Sequence, residues 1–373
     1  MQEPGYVPLK IADPALLFEA LGKAPLVGMT PDEMADLLAE LGEPRFRAKQ
    51  LFQWVYEKGA KDFAAMTNLP ARLRERLAER TILRLLEKET EQHDETTGTT
   101  KFLFRLHDGS KVESVLMRQM WGNSVCITTQ VGCRMGCTFC ASTVGGLVRN
   151  LAAGEIVDQI VMMQRELPEG ERISSVVLMG SGEPLENYDH VLKAIRLMHE
   201  PDGLNIGYRH ITISTSGIVP GMLKLAEEGL PITLALSLHA PTNELRRQLM
   251  PVARIWPIEE VLAAARAYGE KTGRRVTYEY ILIEQVNDGP EEAAALARLL
   301  KGSLAHVNLI PMNHVEERPQ YRRPGQERIN RFKAILESSG VATTVRRSMG
   351  GEIDAACGQL RNRAARRRGP ARS

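Results

Sequence analysis

The chain has 373 residues, of which 43% are hydrophobic and 25% are charged. This composition is typical of a globular protein with a sizeable core, and it excludes a fibrous or low-complexity chain. The formal net charge is only +2, so any affinity for nucleic acid must come from local clusters of charge. Because no apolar run is long enough to span a membrane and the first residues lack the pattern of a signal peptide, we expect a cytoplasmic protein with no membrane partner.

The first part of the chain predicts a small helical unit. Residues 1–28 are interrupted by Pro and Gly, and we expect them to be only partly ordered. A helical accessory domain is predicted over residues 29–95. Three cations, Arg45, Arg47 and Lys49, lie near the start of its second helix, where the helix dipole disfavours positive charge. This placement favours a surface that binds a partner bearing phosphates, although a solvated charged face explains it equally well.

The next part changes to β-strand patterns. Hydrophobic alternation with a period of two runs through Phe102 and Phe104, turns at Asp108 and Gly109, and returns at Val112, which predicts a β-hairpin. Strand-like and helical segments then alternate, which predicts a parallel sheet with right-handed crossovers. The strands expected in that sheet are Val125–Thr129, Ser175–Met179, His210–Ser214, Thr233–Ser237, Thr277–Ile283 and Val307–Ile310.

Six βα units are too few for a complete eight-stranded barrel. The predicted fold class is therefore α/β, an open, partial (βα)6 TIM-like barrel over residues 96–350, with the hairpin at its amino end and the small all-α domain as an extension. A loop is expected over residues 351–360. Residues 361–373 contain six arginines and are predicted to form a disordered tail.

Three of the five cysteines form a C-x3-C-x2-C motif, Cys133, Cys137 and Cys140, directly after the first predicted strand. Three thiolates this close can bind a [4Fe–4S] cluster and leave one iron open for a ligand. A structural zinc site would need a fourth Cys or His nearby, and none follows in this loop. A disulfide is disfavoured in a chain without a secretory signal. The motif, with Phe139 before its last cysteine, resembles that of radical S-adenosylmethionine (SAM) enzymes.

Polar residues follow several of the predicted strands. Because the carboxyl ends of parallel strands meet at one mouth, these residues predict a shared cofactor site. Glu183, in a glycine turn, can pair with the ammonium group of SAM. Each residue alone would be an ordinary cap or turn residue, and a structural hydrogen-bonding role explains His239 equally well. The predicted cofactor-binding residues are Gly182, Glu183, Ser214, Ser237, Leu238, His239 and Asn313.

Longer sequence phrases extend the resemblance. The segments FRAKQLFQWVYEKG, VESVLM, VCITTQVGCRMGCTFCAS, GSGEPLENYD, ALSLHAPTNELRRQLMP and DAACGQL occur in this order. From about residue 30 to 360 the chain therefore resembles the RlmN family of radical SAM RNA methyltransferases. One departure is Ser181, which replaces the methionine more common in the glycine turn of that family. The related Cfr type, which methylates carbon 8 of the same adenine, remains an alternative.

The resemblance implies an enzyme that methylates carbon 2 of adenine in 23S rRNA, at the adenosine 2503 type of site, and in tRNA at adenosine 37. It implies one [4Fe–4S] cluster and two SAM molecules per turnover, the first of which methylates Cys357. Cys126 corresponds to the thiol that closes a transient disulfide with Cys357, and Glu113 corresponds to the proton acceptor. From the residues alone, an inert buried cysteine stays an alternative for Cys357, weakened because every other cysteine has a role, and a surface carboxylate stays an alternative for Glu113.

Further partners follow from the same resemblance. We expect a monomer that receives electrons from a donor such as flavodoxin or ferredoxin. A radical SAM enzyme acting on a small molecule or peptide is a rival hypothesis, but it leaves Cys126 and Cys357 unexplained. A non-enzymatic iron–sulfur protein that binds RNA or senses redox state is another, and it leaves the polar strand ends without a role.

Overall fold

The structure, a computed structural model, describes residues 22–120, 122–346 and 358–362. The first helix starts with a capping box: Thr30 accepts a hydrogen bond from the backbone N–H of Glu33 at 3.2 Å, and the Glu33 carboxylate accepts one from the backbone N–H of Thr30 at 2.7 Å. This amino-terminal segment contains β1 (Ala24–Pro25), α1 (Pro31–Glu40), α2 (Arg47–Phe52), a π-helical turn (Gln53–Glu57), α3 (Ala71–Arg80) and β2 (Thr81–Ile82), with β1 and β2 paired in parallel.

The rest of the chain alternates strands and helices. Its strands are β3 (Leu86–Asp94), β4 (Thr99–Leu106), β5 (Lys111–Gln119), β6 (Gly122–Cys126), β7 (Gln130–Gly132), β8 (Leu147–Asn150), β9 (Ile173–Leu178), β10 (Ile211–Thr215), β11 (Thr233–Ser237), β12 (Val276–Leu282), β13 (Ala305–Pro311) and β14 (Ala342–Val345). Its helices are α4 (Ala153–Gln164), α5 (Tyr188–His199), α6 (Val219–Glu227), α7 (Asn243–Leu249), α8 (Ile258–Thr272), α9 (Pro290–Leu300) and α10 (Gln326–Ser338). None of these described helices is both long and apolar enough to cross a membrane.

A ten-stranded mixed sheet lies at the centre of the fold, in the order β14-β13-β12-β11-β10-β9-β6-β5-β4-β3. The strands from β6 through β9 to β14 are parallel, whereas β5, β4 and β3 continue the sheet in antiparallel pairing. The predicted α/β class is confirmed, and each of the six predicted parallel strands overlaps an observed one. β14 adds a further parallel strand to the predicted six.

The predicted hairpin is part of this same sheet. Val115 of β5 lies opposite Cys126 of β6, so the hairpin strands and the parallel strands form one continuous surface. The helical accessory domain was predicted to extend to residue 95. Its last helix ends at Arg80, and β3, which lies before residue 95, belongs to the sheet. The expectations for residues 1–21, for Cys357 and for the tail from residue 363 onward concern positions outside the described residues.

Close backbone contact fixes the amino-terminal segment against α4. A Cβ atom on Gly28 would lie 2.8 Å from the Cα of Gly154, so this approach requires a residue without a side chain. Asp158 of α4 is fully buried and accepts hydrogen bonds from the backbone N–H groups of Leu85 and Leu86 at 2.7 and 3.1 Å. These contacts hold the amino-terminal segment and the start of β3 against α4.

Candidate functional site

The carboxyl ends of the parallel strands and the cysteine loop enclose a cavity of about 150 Å³. Among the described residues, its lining includes neither Leu238, which is buried, nor Asn313, which is half-buried. The structure brings the other predicted residues together at this cavity, and the roles assigned to them remain predictions. The predicted residues in the lining are Cys133, Cys137, Cys140, Gly182, Glu183, Ser214, Ser237 and His239.

The three motif cysteines share this cavity without forming a site for one ion. In the described part of the chain, no three His, Cys, Asp or Glu side chains are arranged to hold a single metal ion. Desolvation raises the pKa of the thiols of Cys133, which is buried, and of Cys137, which is half-buried. Thiolates are therefore unfavourable here unless a cationic group compensates them. Three thiols around one shared space, in need of positive charge, fit the donor set of an iron–sulfur cluster.

The glycine turn after β9 approaches the cysteine loop closely. Gly182 has φ +114°, and a Cβ atom there would lie 2.7 Å from the Cβ of Gln130. Only glycine combines this conformation with this contact. The backbone N–H of Glu183 donates to Oε1 of Gln130 at 2.8 Å. The turn is thereby fastened to β7, which leads into the cysteine loop.

Glu183 links the ends of two neighbouring strands. Its carboxylate is 2% exposed, and Oε2 accepts hydrogen bonds from the backbone N–H and the hydroxyl of Ser216 at 2.7 and 2.8 Å. Oε1 accepts from the backbone N–H of Leu185 at 3.1 Å. Burial raises the pKa of Glu183, and the hydrogen bonds from Ser216 oppose that rise. The carboxylate thus fixes the residues after β9 and β10 at the cavity wall.

His239 has both a structural bond and a face toward the cavity. Its φ is +59°, and its Nδ1 accepts the backbone N–H of Ile281 at 3.0 Å, so the proton of the neutral ring is assigned to Nε2. The ring packs edge-on against Phe139, with 5.0 Å between centroids. Burial, with repulsion from Arg246 as the smaller cause, lowers the pKa of His239 to about 3. The ring is therefore neutral at physiological pH.

A second, smaller cavity contains Cys126 and Glu113, and Gly180 lines both cavities. The sheet register explains the grouping, because Lys101 lies opposite Val115 and Val115 lies opposite Cys126. Directly opposed residues of paired strands project from the same face. Lys101, Glu113 and Cys126 therefore meet on one face of the sheet.

Glu113 is 5% exposed, so the alternative of a surface carboxylate is wrong. Its carboxylate pairs with Nζ of Lys101 at 3.0 Å and accepts the backbone N–H groups of Gly358 and Arg361 at 2.7 and 2.6 Å. A Cβ atom on Gly358 would lie 2.9 Å from the backbone nitrogen of Ser142. The residues just after Cys357 are thus held between Glu113 and the cysteine loop, while Cys357 itself lies outside the described residues.

Ser181, the departure in the glycine turn, is buried and has a partner in the cysteine loop. Its hydroxyl lies 3.0 Å from the hydroxyl of Ser142, and its side chain lines the second cavity. The two hydroxyls form a hydrogen bond that the methionine more common at this position could not make. The serine therefore joins the glycine turn to the cysteine loop by a polar contact.

Two buried cations at these cavities were missed from the sequence. Lys101 lies within the apolar pattern of β4, and Arg246 lies on α7, a helix too short to show a hydrophobic period. A signal for α7 was present in Thr242, whose hydroxyl accepts the backbone N–H of Leu245 at 3.3 Å and caps the helix. Nothing in the strand pattern of β4 indicated that Lys101 would be buried against Glu113.

The predicted RNA-binding cations of the amino-terminal segment are engaged in ion pairs. Arg45, Arg47 and Lys49 each pair with a carboxylate, at 3.2, 2.8 and 2.8 Å respectively. Partly exposed pairs of this kind contribute little free energy, so a phosphate can replace the carboxylate at small cost. The phosphate-binding role of this surface remains a prediction.

Comparison with known proteins follows the same division of the chain. Residues 24–83 match the ribosomal RNA large subunit methyltransferase N-terminal domain, and residues 127–297 match the radical SAM superfamily. The chain is 86% identical to the "Probable dual-specificity RNA methyltransferase RlmN" of Symbiobacterium thermophilum, over 98% of this chain and 99% of that protein. It is 54% identical to the protein of the same name from Geobacillus kaustophilus, over 90% and 92%. A radical SAM methyltransferase of known structure from Sphaerobacter thermophilus superposes with a TM-score of 0.87 at 48% identity, covering 90% of this chain and 98% of that one.

Proposed function

Since the chain belongs to the RlmN family of radical SAM dual-specificity RNA methyltransferases, we propose that it methylates carbon 2 of adenine in 23S rRNA and in tRNA. Carbon 2 lies between two ring nitrogens and is electron-poor, so it cannot attack an electrophilic methyl group and requires a radical. The observation that carries the proposal is that the cysteine trio and the Cys126–Glu113 pair line adjoining cavities. One group of residues suits radical generation, and the other suits thiol chemistry on the product.

The larger cavity is proposed as the cofactor site. Cys133, Cys137 and Cys140 hold a [4Fe–4S] cluster, which together with SAM supplies the one-electron chemistry. Glu183 and the strand ends around it orient SAM, of which two molecules are used per turnover. Iron and sulfide analysis of anaerobically reconstituted protein tests this assignment. The variant with all three cysteines changed to alanine should retain neither, and wild-type iron content in that variant would contradict it.

The smaller cavity is proposed as the place where the product is released. In this scheme Cys357 carries the methyl group, and after carbon–carbon bond formation the transferred carbon joins the Cys357 sulfur to adenine. One electron of the radical adduct returns to the cofactor site, and Glu113 accepts the proton from carbon 2. The Cys126 thiolate then attacks the Cys357 sulfur and forms a Cys126–Cys357 disulfide. The bond between that sulfur and the transferred carbon breaks, and the carbon keeps the electron pair and takes up a proton to become the methyl group. An external thiol reductant restores the two thiols.

Recognition of RNA is proposed to involve both the two cavities and the amino-terminal segment. The target adenine leaves its stack to enter the cavities, and the amino-terminal segment contacts the RNA backbone. We further propose that the protein acts in the cytoplasm as a monomer and receives electrons from a donor such as flavodoxin or ferredoxin. These assignments rest on the family resemblance and on the chemistry that a reducing step requires.

Two cysteine variants test the release scheme. Cys357→Ala should give no methylated RNA, because no thiol receives the first methyl group. Cys126→Ala should instead accumulate a covalent adduct between Cys357 and RNA, visible as a nuclease-sensitive shift on a denaturing gel. The two variants should therefore fail at different steps, one before and one after attachment to RNA.

Matched controls separate thiol chemistry from packing. Cys126→Ser keeps the size of the side chain and should trap the same adduct, whereas Val115→Ala, in the same cavity, should turn over without trapping. Sustained multiple turnover by Cys126→Ser, with no adduct, would overturn the release scheme. Absence of the adduct together with unmethylated RNA would overturn the methyl-transfer step itself.

A further inference from the structure

Arg246 is a buried cation whose hydrogen-bond partners are backbone carbonyls at the cofactor cavity. Its side chain is fully buried, and Nη2 donates to the carbonyl of Ser216 at 2.6 Å and lies 3.5 Å from that of Ser237. Nε donates to the carbonyl of Leu238 at 3.3 Å, and Nη1 to that of Trp256 at 3.2 Å. One guanidinium therefore spans the ends of β10 and β11 and reaches the start of α8.

Ser216 is held by opposite charges on its two sides. Glu183 accepts the backbone N–H and hydroxyl of Ser216, while Arg246 donates to its carbonyl. Charge-assisted hydrogen bonds are shorter and stronger than neutral ones. A residue with hydrogen bonds to charged groups on both sides has little freedom to move. Ser216 lines the cavity together with the motif cysteines.

Among the described residues, no carboxylate neutralises the charge of Arg246 by an ion pair. Burial lowers the pKa of its guanidinium to about 10, so it is cationic at physiological pH. A buried, unpaired charge is costly to a fold. The helix that carries Arg246 lies against the cysteine loop, because the backbone N–H of Thr138 donates to the carbonyl of Leu249 at 2.9 Å.

We propose that Arg246 is a positioning residue for the cofactors: its guanidinium locks the ends of β10 and β11 at the SAM side of the cavity, and its charge offsets the anionic cysteine trio. The proposal rests on the cofactor site described under the proposed function. Because it concerns SAM binding and cluster potential in the absence of RNA, its failure is distinguishable from a failure of RNA methylation.

Two substitutions separate position from charge. Arg246→Lys keeps the charge but loses the planar fork that spans several carbonyls, and Arg246→Met keeps the length but loses the charge. In anaerobically reconstituted protein, both should raise the dissociation constant of SAM about tenfold, since carbonyls bonded to a charged group lose partners. Only Arg246→Met should shift the midpoint potential of the cluster to more negative values. Arg247→Met, at the exposed neighbouring position, is the matched control and should change neither quantity.

Wild-type affinity of Arg246→Lys for SAM would overturn the positioning role. An unchanged midpoint potential in folded Arg246→Met, judged by wild-type near-ultraviolet circular dichroism, would overturn the charge role. If Arg246→Met does not fold, Arg246→Lys decides the proposal: a tenfold weaker binding of SAM with a wild-type potential supports it, and tight binding or a shifted potential contradicts it.

Discussion

Backbone groups fix the side chain of His239 at the wall of the larger cavity. His239 has its Nδ1 bonded to the backbone N–H of Ile281, and its own carbonyl accepts the side-chain amide of Asn287 at 2.9 Å. These bonds keep a non-glycine residue in the left-handed region, which costs conformational free energy. The result is a ring fixed at the cavity wall with its Nε2–H group as a donor.

The lowered pKa of His239 predicts a dependence of stability on pH. The folded state keeps this ring neutral down to about pH 3, whereas the unfolded chain binds a proton below the ordinary value of 6.5. The unfolded state therefore binds more protons between these values, and the free energy of unfolding falls as pH decreases, by up to about 1.4 kcal/mol per pH unit. Asparagine tolerates positive φ, can accept the amide of Ile281 and does not titrate.

We expect His239→Asn to lose less stability than the wild type as pH falls through this window. Urea unfolding of the cofactor-free protein at a series of pH values between 3 and 6.5 measures the difference. Near-ultraviolet circular dichroism at pH 7 establishes that the variant keeps the native fold. Parallel slopes for the two proteins would show that His239 does not contribute the predicted acid sensitivity.

At the scale of elements, the parallel strands and the polar residues at their ends were predictable because a period-two pattern, a crossover helix and a turn recur in order. The joining of the hairpin to the same sheet was not, since it depends on β6 pairing both with β5, its neighbour in the chain, and with β9 across distant positions. The contact between Lys101 and Glu113 depends on the register of β4 against β5, which the alternating pattern alone does not set. Arg246 was missed because α7 is only seven residues long and shows no period.

The element that follows Cys357 is predicted to depend on Glu113 for its position. Glutamine at this site has one acceptor oxygen and no charge, so it cannot hold Lys101 and two backbone N–H groups together. In Glu113→Gln we expect the amide hydrogens of Gly358 and Arg361 to exchange at least about tenfold faster, because each loses a charge-assisted bond. Hydrogen exchange followed by mass spectrometry of the carboxyl-terminal peptide measures this directly.

Glu87→Gln is the control for this experiment, since it removes an exposed carboxylate from β3 of the same sheet. It should leave the exchange of residues 358–362 unchanged. Wild-type protection in Glu113→Gln would mean that other contacts hold the segment. With the segment in place three donors bind the Glu113 carboxylate, and the lone pair of Oε1 that Arg361 does not use is left for its proposed role as proton acceptor.

At the scale of the whole molecule, the low net charge means that RNA affinity must reside in a limited surface. If the amino-terminal segment provides it, the variant in which Arg45, Arg47 and Lys49 are all changed to glutamate should bind RNA more weakly. The logarithm of its binding constant should depend less steeply on the logarithm of salt concentration, with a slope smaller by about 2, because fewer counterions are released. Filter binding at several salt concentrations gives this slope.

A second triple variant controls for total charge. Lys224, Lys271 and Lys333 are partly exposed on helices of the α/β part, and changing them to glutamate alters the net charge by the same amount. This variant should keep a slope near that of the wild type. Equal slopes for the wild type and the amino-terminal variant would mean that Arg45, Arg47 and Lys49 form an ordinary solvated surface and do not bind RNA phosphates.

Methylation of carbon 2 requires the cysteine trio, the cavity with Cys126 and the RNA-binding surface to act together. Anaerobically reconstituted protein, incubated with SAM, a reductant and a 23S rRNA fragment or tRNA, yields nucleosides that mass spectrometry with authentic standards identifies. We expect 2-methyladenosine from the wild-type protein and none from Cys357→Ala. Formation of 8-methyladenosine, or unmodified adenosine from protein that cleaves SAM and binds RNA, would contradict this expectation.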